Sequence, residues 1–354
     1  MVVTLIFNDD QDGPSPGAEA RADVLHVADA VRSALASAGH TVHVRAVGDD
    51  FLEALRSIPP GRPDVVFNLC ESVSGDARGE AVVAGVLDQL GVPFTGSPAL
   101  ALGLALHKDQ AKALLRGSGV PTPDWMLLPE GSPGLADPPA YPVIVKPARE
   151  DGSIGISFGS VANDLAGLRE AVHRVWRMHQ PALVERFVDG RELCVPFLGN
   201  APRTVLPLRE ISFGPSFAGR PRIVSYLAKW DPSTAECRDT SSGPCRLPFE
   251  VESKVVECAC RAFDVLGCRD YGRVDVRLDG DGTPWIIDVN PNCDLHPEAG
   301  FARAAAAAGV DYGSLVATLL ENALERAPRS PAGRTSPRRV ARSAAAADRE
   351  LHGG

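Results

Sequence analysis

Residues 270–290, DYGRVDVRLDGDGTPWIIDVN, constrain the fold more than any other stretch of the chain. Two runs that alternate polar and apolar residues flank Asp279-Gly280-Asp281-Gly282, which predicts an antiparallel hairpin with a glycine-rich connection. Folding it symmetrically about that turn sets Arg273 opposite Asp288 and Asp275 opposite Ile286. Strand side chains alternate faces, so Arg273, Asp275, Asp288 and Asn290 share one face, and Val274, Val276, Leu278, Ile287 and Val289 share the other. The apolar face is a core surface. The polar face is either a solvated surface or a binding surface. Two carboxylates and an amide oxygen held close together call for a hard cation, and oxygen-only ligation suits Mg²⁺ holding a phosphate. An arginine beside them is a fixed cation suited to a developing oxyanion. The DGDG turn is not a calcium loop, because no Asp or Asn follows at the fifth loop position and no Gly at the sixth.

A chain of 354 residues has room for two or three domains, each with its own core. Hydrophobic content of 44% and charged content of 23% are those of an ordinary globular protein. The net charge of −9 argues against nucleic acid or an anionic membrane as partner. The start MVVTLIFNDD carries no basic leader, and no apolar run reaches the ~20 residues that a bilayer requires, so a cytoplasmic location is expected. Eight cysteines lack any CxxC pair and read as reduced core residues rather than disulfides or zinc ligands. Cys293 stands apart from the rest because it lies just beyond the polar hairpin.

Along the chain, residues 2–7, 41–47, 64–69 and 93–95 read as strands alternating with helices at 19–38, 49–57 and 80–90. That alternation implies a doubly wound parallel α/β sheet. Ligands in such sheets lie beyond the carboxyl ends of the strands, which makes 8–19 and 70–80 candidate substrate loops. No GxGxxG follows the first strand and no GxxxxGK[ST] occurs, which disfavours a dinucleotide fold and a P-loop. A helix over 100–117 carries Lys108, and a new unit begins after Pro121-Thr122-Pro123. YPVIVKP (141–147) is a strand ending in Lys146; the loop 149–155 and a strand at 156–160 follow. The glycines of that loop offer backbone N–H groups that could close over phosphates, though an ordinary hairpin reads the same way. Helices are expected at 165–178, 251–266, 301–309 and 312–326, with a strand at 182–185. The divisions expected are an N-terminal α/β domain over 1–105, a small subdomain over 106–185, a catalytic subdomain over 186–326, and a disordered tail rich in Pro, Ser, Ala and Arg over 327–354.

Taken together, FTGSPALALGLALHKDQAK, VKPAREDGSIGI, LVERFVDGREL and GCRDYGRVDVRLDGDGTPWIIDVNPN resemble, in order and spacing, the ATP-grasp superfamily and within it the D-alanine–D-alanine ligases. The resemblance implies an ATP-grasp fold with the nucleotide held between two α+β subdomains. It implies that Lys108 and Lys146 bind nucleotide phosphates, with Ser153, Gly155 and the flap backbone over the β- and γ-phosphates. Glu185 and the backbone near Val188 would hold the adenine and Glu192 the ribose hydroxyls. Asp275, Asp288 and Asn290 would bind two Mg²⁺ ions, for which Mn²⁺ could stand in. Arg273 would stabilise a tetrahedral oxyanion, with Lys229 and Ser153 beside it. The implied reaction forms an acyl phosphate from a carboxylate and ATP, and an amine then displaces phosphate to give an amide. The partners implied are small amino-acid or amine substrates, and a homodimer is common among proteins of this kind.

The departures from that pattern fall on the amino-acid subsites. The glycine-rich loop expected near the start is Asn8-Asp9-Asp10-Gln11-Asp12-Gly13, with Glu19 as counterpart to its acid. Leu-His-Gly is replaced by Leu69-Cys70-Glu71, the first flap serine by Gly152, and the tyrosine after Lys229 by Trp230. The glycine that follows the magnesium asparagine gives way to a segment containing Asp294. Lost tyrosine and serine hydroxyls change what the subsite can hydrogen-bond. The expectation is therefore a carboxylate–amine ligase whose substrates are not both D-alanine, with Glu19, Glu71, Glu80, Trp230, Asp294 and His296 as specificity residues. A D-alanine–D-alanine ligase proper, a phosphotransferase that stops at a phosphorylated product, and an idle nucleotide-binding scaffold are the competing readings.

Overall fold

The computed structural model describes residues 1–9, 18–58, 63–132, 138 and 140–326, with side chains of the first helix described from residue 23. The tail beyond 326, expected to be disordered, lies outside the described residues. Strands β1 (Val2–Asn8), β2 (Thr41–Val47) and β3 (Val65–Leu69) form a parallel sheet in the order β2-β1-β3. The central β1 and the neighbouring β3 are buried nearly throughout, as two-sided coverage demands. Edge strand β2 instead leaves Thr41, His43, Val44 and Ala46 exposed. The strand expected near 93–95 is a single parallel bridge from Val66 to Phe94.

One face of this sheet packs on helix Ala18–Ser37 and, from the far end of the chain, on helices Gly300–Ala307 and Tyr312–Glu325. The last of these is capped by Asp311, whose Oδ1 accepts the Ser314 N–H at 2.9 Å. Helices Phe51–Arg56, Gly79–Leu90 and Ala99–Leu106 fill the other face.

A second, antiparallel sheet contains β4 (Trp125–Leu128), β5 (Val143–Pro147), β6 (Val161–Ala162) and β7 (Ala182–Arg186) in the order β4-β7-β5-β6. Helix Leu165–Trp176, N-capped by Asp164, packs its apolar stripe on this sheet. The third sheet holds β8 (Arg191–Leu198), β9 (Thr204–Val205), β10 (Arg209–Phe213), β11 (Thr240–Pro244), β12 (Tyr271–Leu278) and β13 (Pro284–Asn290), with β8 between β10 and β12. Its core is shared with helices Phe249–Val265 and Lys108–Gly117.

Two local expectations change. The helix expected over 100–117 is two helices, broken at His107, where φ −86° and ψ +78° leave the helical region and the ring Nδ1 lies 2.8 Å from the Gly103 carbonyl oxygen. Lys108 thereby becomes the first residue of a new helix. The strand expected at 156–160 is an extended segment closed by a 3₁₀ turn over Phe158–Ser160. The Ser157 and Ser160 side chains cap that turn reciprocally.

Candidate active site

The hairpin forms, but in a different register. Arg273 lies opposite Asn290 and Asp275 opposite Asp288, and Val276 pairs with Ile286, so Ile287 is an extra residue on β13. A bulge of this kind resets the alternation. Ile286 is consequently 1% exposed in the core, whereas Ile287, expected on the core face, joins Asp288 on the wall of a cavity. The four polar residues still share a face, now as two directly opposed cross-strand pairs.

A cavity of about 140 Å³ lies between the hairpin and sheet β4–β7, and its wall includes Lys108, Lys146, Ser153, Glu185, Val188, Glu192, Asp275 and Asp288. Lys146 sits on β5 and Glu185 beside it on β7. The Glu185 carboxylate, 1% exposed, is held between Lys146 Nζ at 3.3 Å and Lys112 Nζ at 3.2 Å. Burial draws the Lys112 ammonium down to about 8, against the pull of Glu185. Lys108 Nζ is 2.8 Å from Asp151 and 3.0 Å from Asp288. Burial alone would lower the Lys108 pKa, but the two carboxylates outweigh it and raise it. For Asp288 burial is likewise overcome, and Lys108 with Lys146 holds it below the usual carboxylate range. Glu192 pairs with Arg277 at 2.6 Å, and burial pushes its carboxyl up despite that partner.

The flap between β5 and β6 contains Gly152, Ser153 and Gly155, all at positive φ. Ser153 reaches the cavity wall. Gly155 does not: a Cβ there would come within 2.8 Å of Met178 Sδ and Pro147 Cγ, so its role in the packing is to let the base of the flap close on sheet β4–β7. Trp230, on the short helix Tyr226–Trp230, donates its Nε1–H to the Gly152 carbonyl at 2.8 Å and fastens the flap from the other side.

A second cavity, about 500 Å³, adjoins the first under Glu150, Asp151, Gly152 and Ile154 of the same flap. Arg273, Asn290, Lys229, Trp230, Glu71, Glu80 and Asp294 all reach its wall. Arg273 grips Asp275 through two parallel bonds of 2.7 and 2.9 Å. Lys229 lies 4.7 Å over the Trp230 ring, its pKa lowered by burial and by Arg273. Glu80 accepts from Asn292 Nδ2 at 2.9 Å. His296 is not on this wall: its backbone N–H donates to Asp294 at 2.7 Å, and its ring gathers with Asp23 and His26. The Glu19 side chain lies outside the described residues.

Glu71 lies on the cavity wall with its side chain exposed. Desolvation by the surrounding protein, with Asp294 adding to it and Lys229 opposing, raises its carboxyl to about 7. Between the ordinary glutamate value and 7 the folded state binds the proton that the unfolded state releases, so this group costs stability as pH rises through that interval. Glu71→Gln is expected to melt with wild type at pH 4 and above it at pH 8. Melting curves at the two pH values check this, and equal melting temperatures at pH 8 would refute it.

Lys112, Asp151 and Arg277 belong to this site and were not singled out from the sequence. Lys112 had a usable signal, since four residues after Lys108 it falls on the same helix face. Arg277 had one as well, since two residues beyond Asp275 the strand alternation puts it on the same polar face.

The donor set offered by Asp275, Asp288 and Asn290 is all oxygen. Asn290 Nδ2 donates to Asp275 at 3.1 Å, which leaves its Oδ1 to face a cation. That chemistry fits a hard divalent ion.

A family model described as D-ala D-ala ligase C-terminus matches residues 114–321. Similar relatives include a protein called uncharacterized protein y4sG from Sinorhizobium fredii, 34% identical with 85% of this chain and 88% of that one covered. A D-alanine–D-alanine ligase from Halorhodospira halophila is 34% identical, with 87% and 94% covered. A crystal structure of the D-alanine–D-alanine ligase of Bacillus anthracis complexed with ATP superposes with a TM-score of 0.72 over 92% of this chain and 98% of that one. At 21% identity it speaks for the fold. None of these relatives supports the expectation that the two substrates are not both D-alanine. Among the described residues no helix is long and apolar enough to cross a membrane. A matched family model over most of the chain, on a fold whose cavity walls carry these residues, has one outcome: the chain belongs to the D-alanine–D-alanine ligase family of ATP-grasp enzymes, ATP-dependent ligases that form C–N bonds.

Proposed function

We propose that the chain joins an amino-acid carboxylate to the amine of a second small molecule through an acyl phosphate, releasing ADP and phosphate. The observation that carries this is the meeting of two cavities beneath one flap: lysines and carboxylates line the first, and Arg273, Lys229 and Asn290 line the second. Lys108 and Lys146 hold the triphosphate as point charges, and the Ser153 segment covers it. Glu185, fixed by Lys112 and Lys146, and the backbone at Val188 meet the adenine; Glu192, fixed by Arg277, meets the ribose. Asp275, Asp288 and Asn290 would hold two Mg²⁺ ions, or Mn²⁺ in their place, which supply charge neutralisation at the β- and γ-phosphates. The substrate carboxylate oxygen attacks the γ-phosphorus and ADP leaves. The amine then adds to the acyl carbon, and Arg273 faces the oxygen that becomes negative. Expulsion of phosphate and loss of the amine proton leave the amide.

Phosphoryl transfer asks mainly for positioning and charge neutralisation, and these residues provide both. Incubating the full chain with Mg-ATP and D- and L-amino acids, singly and in pairs, tests the reading. The expected result is one phosphate released per product whose mass is the two substrates less water. A phosphorylated substrate as end product, or ATP binding without any product, overturns it.

A further inference from the structure

Glu185 is a single buried carboxylate shared by two ammonium groups. Oε1 lies 3.2 Å from Lys112 Nζ and Oε2 3.3 Å from Lys146 Nζ, and among the described residues neither lysine has another ion pair. The two lysines differ in what else holds them. Lys112, 3% exposed, stands behind the cavity wall, and its Nζ also donates to Thr122 Oγ1 at 2.9 Å. Thr122 in turn donates to the Ile286 carbonyl at 2.9 Å, so Lys112 is tied to the bulged strand as well as to β7. Lys146 lines the cavity, and Glu185 is the one partner of its ammonium among the described residues.

An anion entering the cavity can therefore draw on Lys146 but not on Lys112. Glu185 competes with that anion for Lys146, because a buried carboxylate left without a cation is costly. Lys112 relieves the competition. With its ammonium in place, Glu185 keeps a partner when Lys146 turns to the anion. With that charge removed, Lys146 is the one cation left to Glu185, and the carboxylate holds it back.

We propose that Lys112 is a positioning residue for nucleotide binding: it touches no part of the nucleotide, yet by holding Glu185 it frees Lys146 for the phosphates. The inference rests on the nucleotide site of the ligase reading above and adds to it a residue that controls how strongly that site holds phosphate. A dependence on pH follows. Burial draws the Lys112 ammonium down to about 8; Glu185 on β7 opposes the fall, Lys146 on β5 adds to it, and Asp288 on β13 opposes it from farther off. Lys108, one turn back on the same helix, is committed to Asp151 and Asp288. As pH rises through about 8 the nucleotide-free chain loses the Lys112 proton, and binding that relies on that proton weakens.

The test is calorimetric titration of the full chain with a Mg²⁺-bound, non-hydrolysable ATP analogue and, separately, with adenosine, which offers Lys146 no phosphate. Lys112→Met is expected to weaken the analogue about 10-fold, a usual size for one site acting through another, and to leave adenosine within about 2-fold. Lys112→Arg keeps a cation behind Glu185 and is expected to restore most of the affinity. The wild-type chain is informative without any substitution, should a variant fold poorly: its affinity for the analogue is expected to fall about 5-fold between pH 7 and pH 9.5, a fall that Lys112→Arg removes. A change of less than about 2-fold in Lys112→Met overturns the inference, as does a wild-type affinity that stays flat across that range. Equal loss of analogue and adenosine overturns it too, since Lys112 would then support only the shape of the cavity. A wild-type chain that binds neither ligand would remove the nucleotide site itself and the inference with it, whereas binding that is indifferent to Lys112 removes the inference alone.

Discussion

Asp288→Ala is expected to lower kcat/KM by about 10³-fold or more while the protein still folds, a loss at the scale of removing one preorganised electrostatic group from a phosphoryl- or acyl-transfer site. Asp288 sits where three demands meet. It accepts from Lys108 Nζ, it lies opposite Asp275 across the hairpin, and it lines the nucleotide cavity beside Ile287. Alanine removes a ligand for the divalent ions and also frees Lys108 to swing to Asp151 alone. Asp288→Asn separates the two effects: it keeps an oxygen toward Lys108 and loses the charge that cation binding requires. Both variants are therefore expected to fall together in turnover, with Asn closer to wild type in melting temperature. Steady-state kinetics with varied Mg²⁺ measure the first, thermal melting the second. Near-normal turnover for either variant would remove Asp288 from the cation site and with it the assignment of the polar face.

How that face was legible in advance, and how it was not, comes down to one residue. Alternation in RVDVRL and WIIDVN identified the hairpin and the set Arg273, Asp275, Asp288 and Asn290, because period-two patterning is local. Which residue faces which across the hairpin depends on the bulge that leaves Ile287 unpaired. No run of apolar residues announces a bulge, and the consecutive Ile286 and Ile287 look alike in sequence. The break at His107 was hidden for a similar reason: LGLALHKDQAK is good helix sequence throughout, and only the packing of two helices on different sheets demands a corner there. Lys112 and Arg277 lie on the legible faces, one helical turn from Lys108 and two strand positions from Asp275, but their roles become intelligible only when their partners, Glu185 and Glu192, arrive from strands 70 or more residues away. Glu71 and Asp294, by contrast, stood out as departures from a family pattern, and the fold carries both to one cavity.

Asp270→Ala is expected to cost about 3–5 kcal/mol, as removal of the acid from a buried, hydrogen-bonded ion pair does, and to lower the melting temperature by about 5–10 °C. The Asp270 carboxylate is fully buried. It accepts from the Gly96 N–H at 2.6 Å, from Asn322 Nδ2 at 2.9 Å and from Arg326 Nη2 at 3.3 Å. It therefore ties three distant segments: the turn after the parallel sheet, the start of β12, and the end of the last helix. Its own φ of +67° adds strain for alanine that asparagine would tolerate. Asp270→Asn, which can still accept from Gly96, is expected to lose only about 1–2 kcal/mol.

The effect reaches the site through a short chain of contacts. Asp270 fixes Gly96, and the next residue, Ser97, donates its N–H to Asn292 Oδ1 at 2.9 Å; Asn292 in turn holds Glu80 on the substrate wall. Residual folded Asp270→Asn is thus expected to bind amino-acid substrates more weakly while its affinity for the nucleotide, on the other side of the flap, stays within about 2-fold, since interactions at separated sites combine nearly additively. Melting curves and separate calorimetric titrations with nucleotide and amino acid read the two effects. Equal weakening toward both ligands would mean that Asp270 acts on the fold as a whole rather than on the substrate wall.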